Sequence, residues 1–154
     1  LLPRVPPRAL IVPGLLVAAG AMLLLTQLTP GSGYVSHVLP AEILLGVGMG
    51  CVFVPAFSVA TQGVAMREAG VASAVVNTAQ QVGGSVGTAL LNTIAAGATA
   101  AYVAAHSGPG AGASGLVHGF TVAALWGAGI LATAAVLAAV LVTAPRPGSQ
   151  GGTS

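Results

Sequence analysis

The sequence predicts an all-α, polytopic membrane protein of four transmembrane helices with both termini in the cytoplasm. Three observations carry that prediction. Charged residues are 4% of the 154, against roughly 25% in ordinary soluble chains, and the mean hydropathy is +0.96. Four almost uncharged stretches, 9–28, 38–62, 71–98 and 119–143, are as long as the roughly 20 residues a helix needs to cross a hydrocarbon core. With four crossings, Arg4, Arg8, Arg67 and Arg146 all fall on one side, and arginines collect in cytoplasmic loops. The segments are continuous apolar runs, without the alternation of a membrane β-barrel.

Residues 1–8 read as the remnant of a cytoplasmic loop. The run 9–28 that follows is long enough to span, lacks a small-residue cleavage site after it and is succeeded by further apolar runs, so it is not a signal peptide. The chain starts at Leu1 rather than Met, which suggests a fragment or an incomplete reading frame. The first and fourth helices are dominated by Leu, Val and Ala and read as lipid-facing supports. Pro13 falls in the first turn of the first helix, where its missing N–H costs little.

Breakers separate the spans. Thr29-Pro30-Gly31-Ser32-Gly33 ends the first, and the outer interface then carries Tyr34 and Tyr102, amphipathic rings favoured at headgroup level. In the second helix, Gly46 and Gly50 share a face that allows close approach of a neighbour, and Pro55 kinks the helix by removing a hydrogen bond. The helix is either a flexing wall of a cavity or simply tightly packed. Glu42, in its first turn, either answers the helix dipole or handles a cation or proton.

The third helix carries most of the functional signal. At 100° per residue, Asn77, Gln81, Ser85, Thr88 and Asn92 fall within an arc of about 80°, a polar stripe running most of the membrane depth. Beside it lie Gly83, Gly84 and Gly87, and Gln80 lies off the stripe as a packing residue. Polar amides in a bilayer are costly without partners, so the stripe is either interhelical glue or the wall of a wet pathway. Five aligned positions favour a cavity or an interface between halves.

Other chemistry is excluded by inventory. There is no Asp and no Lys, and Glu42 and Glu68 belong to opposite membrane faces, so no hydrolase triad can assemble and no enzyme is expected. His37, His106 and His118 lack metal-ligand spacing, and the single Cys51 builds no zinc site. No metal or cofactor is expected. An excess of two positive charges is too small for a nucleic-acid partner. The fourth helix closes at Pro145-Arg146-Pro147, and 144–154 reads as a disordered cytoplasmic tail.

The stretch AGVASAVVNTAQQVGGSVGTA at 69–89 resembles the late-helix signature of the fourteen-helix drug:proton antiporters of the major facilitator superfamily, the EmrB and QacA type. Gly46-Val47-Gly48-Met49-Gly50 with Phe53 and Pro55 is similar to the preceding helix of that family. Leu2-Pro3-Arg4-Val5-Pro6-Pro7-Arg8 looks like a degraded cytoplasmic loop motif. Its two arginines survive, while Pro3 and Pro6 stand where the motif has an acidic residue and a glycine.

The resemblance implies a partial major facilitator fold, the last four helices of a larger transporter. It further implies a C-terminal portion of a proton-coupled multidrug exporter, working by alternating access in the plasma membrane and inactive alone. The expected partners are the lipid bilayer, the remaining helices, a small-molecule substrate and protons. Two other readings remain open: a self-contained four-helix homo-oligomeric channel or small multidrug pump, and a structural membrane scaffold.

Overall fold

The computed structural model describes residues 6–142, apart from 30, 32, 62 and 66. Arg4 and Arg146 of the expected cytoplasmic charges, and the whole of the expected tail at 144–154, lie outside the described residues. All regular elements among those described are helical: α1 (Arg8–Leu25), α2 (Leu39–Thr61) entered through one π-helical turn at Tyr34–Val38, α3 (Ala69–Ala105) and α4 (Ala111–Leu141). Each is long and apolar enough to cross a membrane.

Local chemistry sets where these helices begin and end. Pro7 stands at the N-cap of α1 with helical φ and ψ, and Pro13, the sixth residue of the helix, falls in its second turn rather than in the first-turn position expected of it. The Thr26 hydroxyl donates to the Leu23 carbonyl at 2.7 Å as α1 ends. Thr61 closes α2 by donating to the Phe57 carbonyl at 2.9 Å, and Gly63 then takes a φ of +81°, a left-handed turn suited to glycine.

α3 runs seven residues past Ala98, and α4 begins eight residues before Gly119. The alanine-rich stretch 100–105 is a good helix former, and Gly115 and Gly119 bring the first turns of α4 against Thr99 and Val103 of α3. Gly108 and Gly110, with φ of +149° and +91°, make the reversal between them.

The helices stand in the spatial order α2, α1, α4, α3. α1 packs against both α2 and α4, α4 also packs against α3, and α2 meets α3 only slightly. The α1–α2 crossing is made at backbone level. A Cβ added to Gly48 would lie 2.6 Å from the Gly14 carbonyl oxygen and 2.8 Å from the Ala18 nitrogen. Next to it, Ile11 and Leu15 of α1 and Ala135 of α4 form a buried cluster, with Val52 and Ala56 of α2 and Leu131 and Ala134 of α4 packed on it.

α1 and α4 form the middle of the row and hold most of the buried residues, while α3 holds none. Small side chains explain this placement. Gly14, Ala18 and Ala21 on α1, and Ala124, Ala128 and Ala135 on α4, are buried, and small residues let helices in lipid approach closely enough for dispersion to hold them.

Candidate functional site: the polar face of the third helix

α3 begins after the exposed pair Arg67 and Glu68 and carries its polar residues on one face for four turns. All five stripe residues, Asn77, Gln81, Ser85, Thr88 and Asn92, are exposed. From Asn77 to Asn92 they cover about 22 Å at 1.5 Å per residue, most of a hydrocarbon core about 30 Å thick. The Ser85 hydroxyl donates to the Val82 carbonyl of its own helix at 3.0 Å. The amides of Asn77, Gln81 and Asn92 have no hydrogen-bond partner among the described residues. They are therefore free to bind something outside this chain.

The same face of α3, continued upward by helical periodicity, reaches Ala95, Thr99 and Val103. There it meets α4. A Cβ on Gly119 would run into the Thr99 hydroxyl and the Ala95 carbonyl, and one on Gly115 would lie 2.7 Å from the Val103 side chain. On α4 the face that carries Gly115 and Gly119 continues to Trp126, Ile130, Thr133 and Leu137. These are exposed and line a groove of about 660 Å³ with Gly129. The contact between α3 and α4 is thus made at the Ala95–Val103 end, while the stripe from Asn77 to Thr88 and the Trp126–Leu137 face stay open.

A second open groove lies where α2 and α3 come nearest. Phe53, Val54 and Phe57 of α2 and Gln80 of α3 line about 400 Å³. Gln80, expected to be a packing residue, shares this groove with two phenyl rings. Gly46 and Gly50 of α2, and Gly83, Gly84 and Gly87 of α3, meet nothing within 4 Å of an added Cβ. Within this chain the close approaches are made by Gly14 with Gly48 and by Gly115 and Gly119 with α3. The sequence reading missed Gly115 and Gly119, although their four-residue spacing puts both on one face of α4. Pro55 is buried within α2.

The ionisable groups sit toward the helix ends. Arg8 is exposed at the start of α1, beside Ala139 near the end of α4, and Arg67 stands between α2 and α3 at the same end of the row. Glu42 is exposed in the first turn of α2. At that opposite end, Tyr102 stacks on His106 with ring centroids 4.1 Å apart and lies 5.1 Å from His118. The His106 Nδ1 is 2.9 Å from the Tyr102 carbonyl oxygen. This aromatic clamp ties the end of α3 to α4. Among the described residues no three His, Cys, Asp or Glu side chains converge as metal ligands.

Residues 1–88 match the Major Facilitator Superfamily. The chain is 56% identical to the puromycin resistance protein pur8 of Streptomyces alboniger over 92% of its own length and 29% of that protein's. It is 35% identical to the cephamycin export protein CmcT of Amycolatopsis lactamdurans over 70% of the chain and 23% of the relative. To the lincomycin resistance protein LmrB of Listeria monocytogenes it is 32% identical over 68% of the chain and 22% of the relative. The chain spans less than a third of the length of each of these relatives. No solved structure matches it.

Proposed function

Because this chain belongs to the Major Facilitator Superfamily and is a multi-pass protein of the plasma membrane, we propose that it supplies the last four helices of a proton-coupled efflux transporter. That transporter exports antibiotic-like small molecules by alternating access, rocking its two halves around a midplane site. The chain alone is inactive, and Arg8 and Arg67 mark the cytoplasmic end of its helices, with both termini on that side.

The observation that carries this reading is the face of α3. Five polar side chains lie exposed along one helix of a membrane protein, three of them amides without partners among the described residues. In hydrocarbon that arrangement is costly, so the face meets water, substrate or the other half of the transporter. The names of the relatives, which speak of puromycin resistance, cephamycin export and lincomycin resistance, agree with a cargo that is organic and of antibiotic size. Phe53 and Phe57 with Gln80 add a surface suited to an aromatic ring beside a hydrogen-bonding group. The open glycine flank of α3, Gly83, Gly84 and Gly87, leaves room for the helices of the rest of the transporter.

The test is resistance in a drug-sensitive bacterial host that expresses the full-length transporter. Asn77→Leu with Gln81→Leu lowers resistance without lowering the amount of protein in the membrane, and the four-helix segment alone confers none. Unchanged resistance in the double variant would overturn the role given to the stripe.

A further inference from the structure

Three carboxamides cluster on α3. Asn77, Gln80 and Gln81 stand at positions i, i+3 and i+4, within an arc of about 100° and a rise of about 6 Å. Side chains so spaced are neighbours on a helix surface, and Asn77 has a glutamine on either side of it, one turn on. All three are exposed, and none has a hydrogen-bond partner among the described residues. Where α2 comes nearest, Gln80 shares its groove with Phe53 and Phe57, which are 47% and 41% exposed. The end of the stripe nearer Arg67 is therefore a polar cluster beside an aromatic wall, and Gln80 belongs to both.

No charge accompanies the cluster. α3 carries no Asp, Glu, Lys, Arg or His, and α2 carries only Glu42, about 16 Å along the helix from Phe53. Glu68, at the N-cap of α3, is about 13 Å along that helix from Asn77. An ammonium group only donates and a carboxylate only accepts, and the charge of either would find no counter-charge on these two helices, which is costly away from water. A carboxamide both donates and accepts. It is matched by a group that does the same without charge, an amide or a hydroxyl. On the transport reading above, we propose that Asn77, Gln80 and Gln81 form the part of the cargo site that reads uncharged amide and hydroxyl groups, beside an aromatic ring held against Phe53 and Phe57. Gln80, which lies off the five-residue stripe, then sets cargo specificity rather than helix packing.

Equilibrium binding of two radiolabelled probes to the purified full-length transporter tests it. Chloramphenicol is uncharged and carries an aryl ring, an amide and hydroxyl groups. Tetraphenylphosphonium carries aryl rings and a fixed positive charge, and it forms no hydrogen bond. The wild type is expected to bind chloramphenicol. Gln80→Leu raises the Kd about five-fold, the factor that a hydrogen bond of about 1 kcal/mol is worth, and Gln80→Leu with Asn77→Leu raises it about 25-fold. Affinity for tetraphenylphosphonium falls by less than about two-fold in the same variants, and their unfolding midpoints in micelles match the wild type. No binding of chloramphenicol by the wild type would overturn the proposal, as would unchanged affinity in the variants. An equal loss of both probes, or a lowered unfolding midpoint, would make the amides glue for a neighbouring helix and overturn it too. Efflux of chloramphenicol from cells is measured alongside, and binding without efflux would count against the transport reading alone.

Discussion

Replacing Gly48 with alanine tests the α1–α2 crossing against two controls on the same helix. The added Cβ would lie 2.6 Å from the Gly14 carbonyl oxygen and 2.8 Å from the Ala18 nitrogen. Both are backbone atoms, so neither can rotate away. An ordinary C···O contact is about 3.3–3.6 Å, so α1 and α2 must part by roughly 0.7 Å or more at this point. A gap of that size forfeits a quarter to a half of the dispersion energy of the atoms it separates, and overpacking of this kind costs about 1–3 kcal/mol. Alanine also gains up to about 1 kcal/mol over glycine in helix propensity, which obscures the cost in a single variant. Gly46→Ala and Gly50→Ala gain the same propensity and meet nothing within 4 Å. The difference between Gly48→Ala and either control isolates the crossing and should be about 1–3 kcal/mol. Equilibrium unfolding of the full-length transporter in mixed micelles reads it. Equal stability of the three variants would refute the backbone-level contact between α1 and α2.

Two further perturbations probe the other end of the chain and its orientation. Tyr102→Ala removes one ring contact between α3 and α4, to His118, and one at the end of α3 itself, to His106, and lowers stability in the same unfolding assay by about 0.5–1.5 kcal/mol for the contact that joins the two helices, while Tyr102→Phe loses far less. A single cysteine in place of Glu68, in an otherwise cysteine-free transporter, should react with an impermeant thiol reagent only after the cells are opened. Reaction in intact cells would reverse the topology read from Arg8 and Arg67.

The architecture was legible because lipid permits so few solutions: long uncharged runs become helices. Asn77, Gln81, Ser85, Thr88 and Asn92 were legible as one face because the helix period alone fixes that. What the sequence concealed was which helices stand in the middle of the row. Leu-, Val- and Ala-rich helices face lipid and protein with the same composition, since lipid tails are as apolar as the side chains. α1 and α4 therefore read as periphery although Ala18, Ala21 and Ala135 are among the most buried residues. The glycines misled for a related reason. Gly46, Gly48 and Gly50 lie within five residues, and only the position of α1 makes Gly48 the contact. The extension of α3 to Ala105 was hidden because an alanine-rich stretch after Gly97 gains its order from Gly115 and Gly119, residues more distant in sequence than a local pattern reaches. The pairing of Tyr102 with His106 and His118 has the same origin, since His118 comes to the ring only through the α3–α4 turn.

The claim that the α3 stripe faces a cavity or the other half of the transporter is tested most directly by accessibility in the full-length protein. Single cysteines are placed at Asn77, Gln81, Ser85 and Thr88, and at Val75, Val82 and Val86 on the remainder of the helix, and a membrane-impermeant thiol reagent is added to inverted vesicles with and without exported drug. The account predicts labelling at the four stripe positions, slowed by drug, and protection at the three valines. Uniform protection of the stripe would contradict it.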